Sequence, residues 1–230
     1  MVYVQEVLAV KGCVIIPAYN EEMRIGHIAG EVKSNGLDCI VIDDGSADNT
    51  AVVAKEAGAI VIKQPANMGK GAALRDGFAR VVKDGFDRVV VLDGDGQHMT
   101  ADIDAFFKKM DETGADIVIG NRMLDTSSMP LVRDMTNRFM SWLISAISHQ
   151  HVHDSQCGFR LIKRIVLENV SLDSSRFEIE TELIVKAAKA GFKIESVPIQ
   201  TIYEGGKSRI NPVVDTWRFI VFLEKTTLGR

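Results

Sequence analysis

The sequence lacks the features of several common protein classes. No stretch approaches the roughly 18 apolar residues that a membrane-spanning helix needs, and the longest suspect near the carboxyl terminus covers only residues 219–223. The chain also lacks a basic excess, since 27 lysines and arginines face 31 aspartates and glutamates and the net charge is −4. Because proteins that grip a nucleic-acid backbone carry a strong positive excess, we expect no nucleic acid as a partner.

Cysteine is scarce as well. The three cysteines, Cys13, Cys39 and Cys157, are an odd number without metal-ligand spacing. The amino terminus shows no charged start, apolar stretch and cleavage pattern of a signal peptide. We therefore expect reduced thiols in a cytoplasmic protein that meets a membrane only at its surface.

With 230 residues and 46% hydrophobic composition, the chain can bury a full core, and we expect residues 1–230 to form a single domain. Short β-branched runs alternate with helical patterns, which predicts an α/β fold with a mostly parallel sheet flanked by helices. The predicted strands are 13–16, 39–43, 59–63, 88–92, 116–120 and 193–202, and the predicted helices are 22–34, 49–57, 69–83, 100–113 and 177–190.

The most informative stretch is RVVVLDGDGQH, residues 88–98. An apolar strand pattern ends there in two aspartates one residue apart, at the kind of strand end where open α/β sheets hold ligands. Asp93 and Asp95 offer hard carboxylate oxygens and Gln97 an amide oxygen, which suits Mg²⁺ or Mn²⁺ bridging a nucleotide diphosphate. The alternative is an acidic turn that caps the helix starting near Thr100.

Further polar clusters follow other predicted strands. Asp43 and Asp44 follow the second strand, where one carboxylate can accept hydrogen bonds from a base or a ribose, or where both simply shape a turn. The segment 67–71 resembles a phosphate cradle but lacks the spacing and the Ser or Thr of a P-loop. It is either a plain helix start or a loop whose amides, or Lys70, touch the ligand.

A set of motifs, taken together and in order, resembles the family 2 glycosyltransferases. More narrowly, the chain resembles the dolichyl-phosphate mannose synthase and polyprenyl-phosphate glycosyltransferase branch of that family. The resemblance covers nearly the whole chain and implies a glycosyltransferase A-type, Rossmann-like fold. The motifs are PAYNEE (17–22), VIDDGSADNT (41–50), NMGKGAALRDGF (67–78), VLDGDGQH (91–98), GNR (120–122), DSQCGFR (154–160) and GGKSRI (205–210).

The resemblance also implies an activity and roles for individual residues. It implies inverting, metal-dependent transfer of mannose or glucose from GDP-mannose or UDP-glucose to a polyprenyl phosphate. Basic residues would bind phosphate oxygens, and at the last motif Arg209 stands where relatives usually carry lysine. The implied nucleotide contacts are Pro17, Tyr19, Glu21, Asp43, Asp44, Lys70 and Asp93; the implied metal ligands are Asp93, Asp95 and Gln97; and the implied catalytic residues are Asp95, Arg122, Asp154, Lys207 and Arg209.

The acceptor is argued from an absent residue pair. Many relatives that glycosylate a hydroxyl carry a Glu-Asp pair where this chain has residues 153–156, His-Asp-Ser-Gln, because an alcohol must lose a proton as it attacks. A lipid phosphate is already anionic and needs no strong base. The sequence therefore favours a phosphate acceptor, with Asp154 orienting the loop or the acceptor. A hydroxyl acceptor with Asp154 as the base remains the alternative.

Two amphipathic segments, 130–149 and 211–225, are candidate membrane-interface helices. In the first, apolar side chains share one broad face and polar side chains the other, which indicates either docking on the protein's own core or contact with a lipid surface. The second is apolar on nearly all sides and needs cover from a bilayer, another subunit or the core. The apolar face of the first consists of Leu131, Val132, Met135, Phe139, Trp142, Leu143, Ala146 and Ile147, and its polar face of Arg133, Asp134, Asn137, Arg138, Ser141, Ser145 and Ser148.

Two rival functions remain at this stage. Asp-x-Asp-Gly after an apolar strand is also the nucleophile motif of haloacid dehalogenase-type phosphohydrolases, but that group places it near the amino terminus. A nucleotide-sugar binder without catalysis is the second rival. The alternating His149, His151 and His153 offer a weak case for a soft-metal site, whereas His98, beside the carboxylates, is a better functional candidate.

Overall fold

The computed structural model describes residues 11–127 and 129–200. Its seven strands form one sheet in the order β3-β2-β1-β4-β6-β5-β7. The strands β1, β2, β3, β4, β5 and β7 are parallel to one another, and β6 runs antiparallel between β4 and β5. The strands are β1 (Gly12–Ala18), β2 (Asp38–Asp43), β3 (Ile60–Lys63), β4 (Arg88–Val91), β5 (Ile117–Asn121), β6 (Arg160–Lys163) and β7 (Ile194–Pro198).

Within the described ranges, seven α-helices accompany the sheet. α1 and α2 pack on each other and on β2, α3 packs on β1 and β2, and α4 covers β5, β6 and β7. α3 comes close to the sheet because a Cβ at Gly77 would lie only 2.9 Å from Ile42. The helices are α1 (Ile25–Ser34), α2 (Thr50–Glu56), α3 (Lys70–Lys83), α4 (Ile103–Thr113), α5 (Leu131–Ser148), α6 (Arg164–Asn169) and α7 (Glu178–Lys189).

The predicted α/β class and mostly parallel sheet are confirmed. Each predicted strand and helix is present, with ends that differ by a few residues, and the predicted helix 100–113 begins as a 3-10 turn at Thr100–Asp102. Two elements were missed, β6 and α6. The predicted strand 193–202 ends at Pro198, and the candidate helix 211–225 lies outside the described residues.

Helix α5 exposes most of its apolar face, whereas an ordinary surface helix buries that face. Its apolar side chains point outward, while Met140 and Ile144 are buried together with three polar residues. Leu143 and Ile147 pack partly against the core, so docking of the whole apolar face on the protein's own core is the alternative that the structure contradicts. The exposed face of α5 is formed by Leu131 (80% exposed), Val132 (67%), Met135 (71%), Phe139 (54%) and Trp142 (65%).

The buried polar side chains of α5 have a structural reason. Ser141 Oγ accepts a hydrogen bond from the Ser155 backbone N–H at 2.9 Å, and Ser145 Oγ accepts one from the Val152 N–H at 3.0 Å. The chain between α5 and β6 is irregular, so its buried amides need partners outside a ladder. The serine stripe supplies them, which turns the apolar stripe away from the protein. Among the described residues, no helix is both long and apolar enough to cross a bilayer.

Candidate active site

The polar clusters of the sequence meet at one edge of the sheet. β1, β2, β4 and β5 are parallel, so their carboxyl ends face the same way, and Ala18 at the end of β1 pairs in register with Asp43 at the end of β2. A Cβ at Gly94, just after β4, would lie 3.3 Å from the Pro17 carbonyl oxygen. The predicted convergence on one edge is therefore present in the fold.

The loops after β1 and β2 are joined by hydrogen bonds. The Asn20 N–H donates to Ser46 Oγ at 2.9 Å, and the Glu21 N–H donates to Thr50 Oγ1 at 2.8 Å. The Glu21 carboxylate lies 3.7 Å from the Arg24 guanidinium, and Tyr19 is half-buried beside them. These contacts give the first loop a fixed shape at the edge where the nucleotide is expected.

The structure separates the roles of Asp43 and Asp44. Both oxygens of Asp44 accept backbone hydrogen bonds from the next loop, from Met68 N–H at 2.6 Å and Gly69 N–H at 2.9 Å. Asp43 accepts the Ser46 N–H through Oδ1, while its buried Oδ2 has no hydrogen-bond partner in the described structure and only the Lys63 ammonium near it, at 3.8 Å. Asp44 holds a loop, so Asp43 is the better candidate of the two to accept a hydrogen bond from a nucleoside.

The phosphate-cradle interpretation of residues 67–71 is not supported. Asp44 already occupies the amides of Met68 and Gly69, and the Ala72 N–H donates to the Ser175 carbonyl at 3.1 Å. Gly69 has φ +95°, and a Cβ there would lie 2.6 Å from that same carbonyl oxygen. Protein atoms therefore occupy the amides of Met68, Gly69 and Ala72, and the Lys70 side chain extends to Asp93.

Lys70 connects Asp93, in the loop after β4, with Glu180 of α7. Its ammonium lies 2.6 Å from Asp93 Oδ1 and 2.7 Å from Glu180 Oε1. Burial would lower the pKa of Lys70, but the two carboxylates outweigh it and raise the pKa above its ordinary value. Burial would likewise raise the pKa of Asp93, but Lys70, His98 and Arg122 hold it below its ordinary value. Both groups are therefore charged at neutral pH.

Asp95 stands in a less favourable environment. Burial, followed by the negative charge of Asp93, raises its pKa above the ordinary value. Two nearby carboxylates that disfavour each other's charge, with Gln97 next to them, form a donor set that a hard divalent cation fits. Mg²⁺ in particular is commonly held by one or two carboxylates and takes its other ligands from substrate phosphates and water. Among the residues described, no group of three or more His, Cys, Asp or Glu forms a complete cage.

His98 is buried against the same motif. Its ring stacks at a tilt on Phe159, with 5.4 Å between centroids, and its Nδ1 lacks a hydrogen-bond partner in the described part of the chain. Burial lowers its pKa to about 4, although Asp93 partly offsets the effect. His98 is therefore neutral at physiological pH. His151 and His153 contact each other, with Nδ1 atoms 3.4 Å apart, and in the described ranges no group of three or more possible ligands forms a metal site around them.

Arg122 and Asp154 form a bidentate ion pair. Arg122 Nε lies 2.7 Å from Asp154 Oδ2 and Nη2 lies 3.0 Å from Oδ1, with both residues buried. The Arg122 and Gln156 backbone amides also donate to the same carboxylate. The guanidinium and the two amides therefore already donate to both oxygens of the Asp154 carboxylate. These contacts tie Asp154 to Arg122 and to the loop before β6; the predicted roles of Asp154, orienting the loop or the acceptor or acting as a base, stay predictions.

Two residues of this region were missed in the sequence. Arg160, at the start of β6, is buried and donates to the carbonyls of Cys157, Ser155 and Glu180. Glu180 binds Lys70 from a position 110 residues away in the sequence. Arg160 lies in the motif 154–160 but was not singled out within it. Glu180 was missed because an acidic residue in the first turn of a helix normally only interacts favourably with the helix dipole. Lys207 and Arg209 lie outside the described residues.

Comparisons with known proteins agree with this geometry. A family model described as Glycosyl transferase family 2 matches residues 13–171. The UDP-N-acetylglucosamine–dolichyl-phosphate N-acetylglucosaminyltransferase of Methanococcus voltae is 32% identical over 212 residues, covering 82% of this chain and 84% of that protein. The polyprenol monophosphomannose synthase of Mycolicibacterium smegmatis is 30% identical over 203 residues, covering 81% and 75%.

A solved structure shows the same fold. The crystal structure of glucosyl-3-phosphoglycerate synthase from Mycobacterium tuberculosis, in complex with Mn²⁺, UDP and glucosyl-3-phosphoglycerate, superposes with a TM-score of 0.73 at 20% identity. The match covers 94% of this chain and 80% of that one. The predicted glycosyltransferase fold is thereby confirmed, and the family match together with the two relatives shows that the phosphohydrolase alternative is wrong.

Proposed function

Because this chain belongs to glycosyl transferase family 2 and is a glycosyltransferase, we propose that it transfers mannose or glucose from a nucleoside diphosphate sugar to a polyprenyl phosphate. The observation that carries the choice of acceptor is the Arg122–Asp154 ion pair. The one carboxylate that the sequence offered as a general base for an alcohol is occupied by a guanidinium at 2.7 and 3.0 Å. An acceptor that is already anionic needs no such base.

The donor would lie across the ends of β1, β2 and β4. Pro17, Tyr19 and Glu21 line one side, and the Asp43 carboxylate, with an oxygen lacking a hydrogen-bond partner, is the acceptor that we assign to the base or ribose. Lys70 stands at the diphosphate end of this path. The two relatives named above are named for different sugars, so the donor sugar is a matter for a screen.

A divalent cation, Mg²⁺ or Mn²⁺, would be held by Asp93, Asp95 and Gln97. When bound, it would neutralise charge on the departing diphosphate. Arg122 would bind the acceptor phosphate or the donor, and Lys207 and Arg209 would bind phosphate oxygens. These assignments rest on the donor chemistry of the residues and on the resemblance of their motifs to the family.

The reaction would proceed as a single displacement. An oxygen of the acceptor phosphate forms a bond to the anomeric carbon as the bond from that carbon to the diphosphate oxygen breaks. The electron pair of the broken bond leaves with the nucleoside diphosphate, and the anomeric centre inverts. Fixed positive charges near the leaving group lower the barrier because charge develops there in the transition state.

The exposed face of α5 supports a lipid acceptor. Its five large apolar side chains are 54–80% exposed, and a contiguous apolar surface of this kind usually marks a membrane or a partner. We propose that α5 lies in the interface of the cytoplasmic leaflet and that the segment 211–225 assists it. The serine stripe of α5 binds the segment that carries Asp154, so the membrane contact would be adjacent to the acceptor site.

A donor and acceptor screen tests the proposal. The protein, with Mn²⁺ or Mg²⁺ and a short polyprenyl phosphate in detergent, is incubated in parallel with GDP-mannose, UDP-glucose and UDP-N-acetylglucosamine. Lipid-dependent release of one nucleotide, lost in Asp95→Ala, is the expected result. Release that needs a hydroxyl compound instead of the lipid would overturn the acceptor assignment. Binding of a sugar nucleotide without turnover under every condition would favour the non-catalytic alternative.

A further inference from the structure

The ammonium of Lys70 is shared by two carboxylates from distant parts of the chain. Asp93 follows β4, Glu180 lies in the first turn of α7, and Lys70 begins α3. The side chains of Lys70, Asp93 and Glu180 are only 15%, 23% and 13% exposed. A buried ion triad of this kind holds its geometry because separating any member would leave an uncompensated charge.

Gly158 leaves the space in which the two carboxylates meet the lysine. A Cβ at this position would lie 2.5 Å from Asp93 Oδ2 and 3.0 Å from Glu180 Oε1. The backbone around Gly158 is held in place, because Arg160 donates hydrogen bonds to the neighbouring Cys157 carbonyl and to the Glu180 carbonyl. Asp93 and Glu180 therefore border one small space, and Lys70 reaches both without leaving it.

We infer that Lys70 and a divalent cation compete for Asp93, and that Glu180 is the positioning residue that retains the Lys70 ammonium when the cation binds. This inference rests on the metal site of the proposed function. An ammonium 2.6 Å from Asp93 Oδ1 disfavours a metal ion at about 2.1 Å on the same carboxylate, because the two positive charges would then repel each other at close range. Movement of Lys70 away from Asp93 relieves this repulsion, and Glu180 already binds the ammonium at 2.7 Å.

The transfer of Lys70 to Glu180 keeps every buried charge paired. Without Glu180, the incoming cation would leave a buried ammonium alone, which is strongly unfavourable. The same arrangement couples the metal to the nucleotide. In the nucleotide-free protein, Lys70 opposes the cation, whereas a bound diphosphate supplies anionic oxygens that favour both positive groups. We expect Mn²⁺ to bind weakly alone and more tightly with UDP or GDP.

The test is direct Mn²⁺ binding in the absence of nucleotide, followed by electron paramagnetic resonance. Lys70→Gln should tighten Mn²⁺ binding on the order of tenfold, because the competitor is gone. Lys70→Arg should bind as weakly as the wild type. Glu180→Gln should weaken binding several-fold, and this loss should largely disappear in the Lys70→Gln background. Equal losses in both backgrounds would mean that Glu180 acts only by its charge, and would overturn the inference.

Glu180→Asp provides an arm that leaves Lys70 in place. The shorter side chain keeps the charge but falls short of the ammonium, so its Mn²⁺ affinity should drop nearly as far as that of Glu180→Gln. Wild-type affinity in Glu180→Asp would overturn the positioning role even if Lys70→Gln failed to fold. Measuring Mn²⁺ binding with UDP or GDP present distinguishes a failure of the proposed metal site from a failure of the proposed competition with Lys70. Absence of binding in every variant would refute the metal site itself, whereas nucleotide-dependent binding without tightening in Lys70→Gln would refute only the competition.

Discussion

The Arg122 guanidinium binds both carboxylate oxygens of Asp154, and neither residue is appreciably exposed to solvent. Arg122 follows β5 and Asp154 precedes β6, so the pair joins two chain segments at the carboxyl edge of the sheet. The pair has a directional consequence. It fixes the plane of the guanidinium, and a fixed, forked donor is suited to recognise a phosphate group from one side.

Asp154→Asn should destabilise the protein by about 3 kcal/mol, because it leaves the Arg122 charge buried without its partner. Urea unfolding measures the loss. Asp84→Asn, which removes the partner of the partly exposed Arg80 at the carboxyl end of α3, is the matched control and should cost about 0.5 kcal/mol or less. Full stability of Asp154→Asn together with loss of transfer to a hydroxyl acceptor would instead identify Asp154 as a general base.

Replacing Phe139 and Trp142 together by Gln should weaken binding to anionic phospholipid vesicles by about tenfold or more, since each large apolar side chain contributes about 1.5–3 kcal/mol when it leaves water. Both side chains are more than half exposed, so the unfolding free energy should change little. Vesicle sedimentation measures the effect. Ile144→Gln, on the buried face of the same helix, should show the opposite pattern, a large loss of stability. Unchanged vesicle binding of the double variant would contradict a lipid-facing α5.

Gly158→Ala should impair the site more than the fold. The added Cβ would collide with Asp93 Oδ2 at 2.5 Å, and the short Asp93 side chain has little freedom to retreat. We expect a stability loss of about 1–3 kcal/mol and a rise in the Mn²⁺ concentration needed for activity. Gly30→Ala, where a Cβ meets nothing within 4 Å, is the control and should be neutral or slightly stabilising. A metal requirement equal to that of the wild type would show that Asp93 is not a ligand.

Glu182→Gln should cost about 2 kcal/mol at pH 7, because the buried carboxylate accepts the Asp173 and Ser174 amides and pairs with Lys186 at 2.6 Å. Burial would raise the pKa of Glu182, but these donors hold it below its ordinary value. A lowered folded-state pKa stabilises the protein above the unfolded-state pKa of about 4.3 and less as the pH falls through the folded-state value. Urea unfolding from pH 7 to pH 4 should therefore show the difference between wild type and variant shrinking below about pH 4.5. A pH-independent difference would mean that the loss is steric.

The sequence predicts the parallel part of the fold because buried parallel strands are short, continuous apolar runs between helical patterns. β6 escaped notice because Arg160 opens it, and a buried arginine is unexpected in a strand. Its guanidinium is tolerated because three backbone carbonyls accept its hydrogen bonds. No periodicity in the sequence reports a partner of that kind.

The candidate site was likewise only partly predictable from the sequence. Asp93 and Asp95 stand out because two carboxylates after an apolar strand are locally unusual. Glu180 was invisible, since its contact with Lys70 spans 110 residues. The different uses of Asp43 and Asp44 also depend on a third loop, whose amides bind only one of them. For α5, the sequence gives the two faces, but only the serine contacts with residues 152 and 155 decide which face points inward.

The short connection between α5 and β6 limits where chemistry can occur relative to a surface. Only residues 149–159 separate the two elements, and even a fully extended chain of that length spans no more than roughly 40 Å. The segment is folded back and hydrogen-bonded to α5 itself, so the distance between α5 and the start of β6 is smaller than that limit. With α5 on a membrane, as proposed, a lipid acceptor would need to raise only its headgroup and would leave its tail in the bilayer. The enzyme would then search for its acceptor by diffusion in two dimensions, and its rate would follow acceptor density per unit of membrane area.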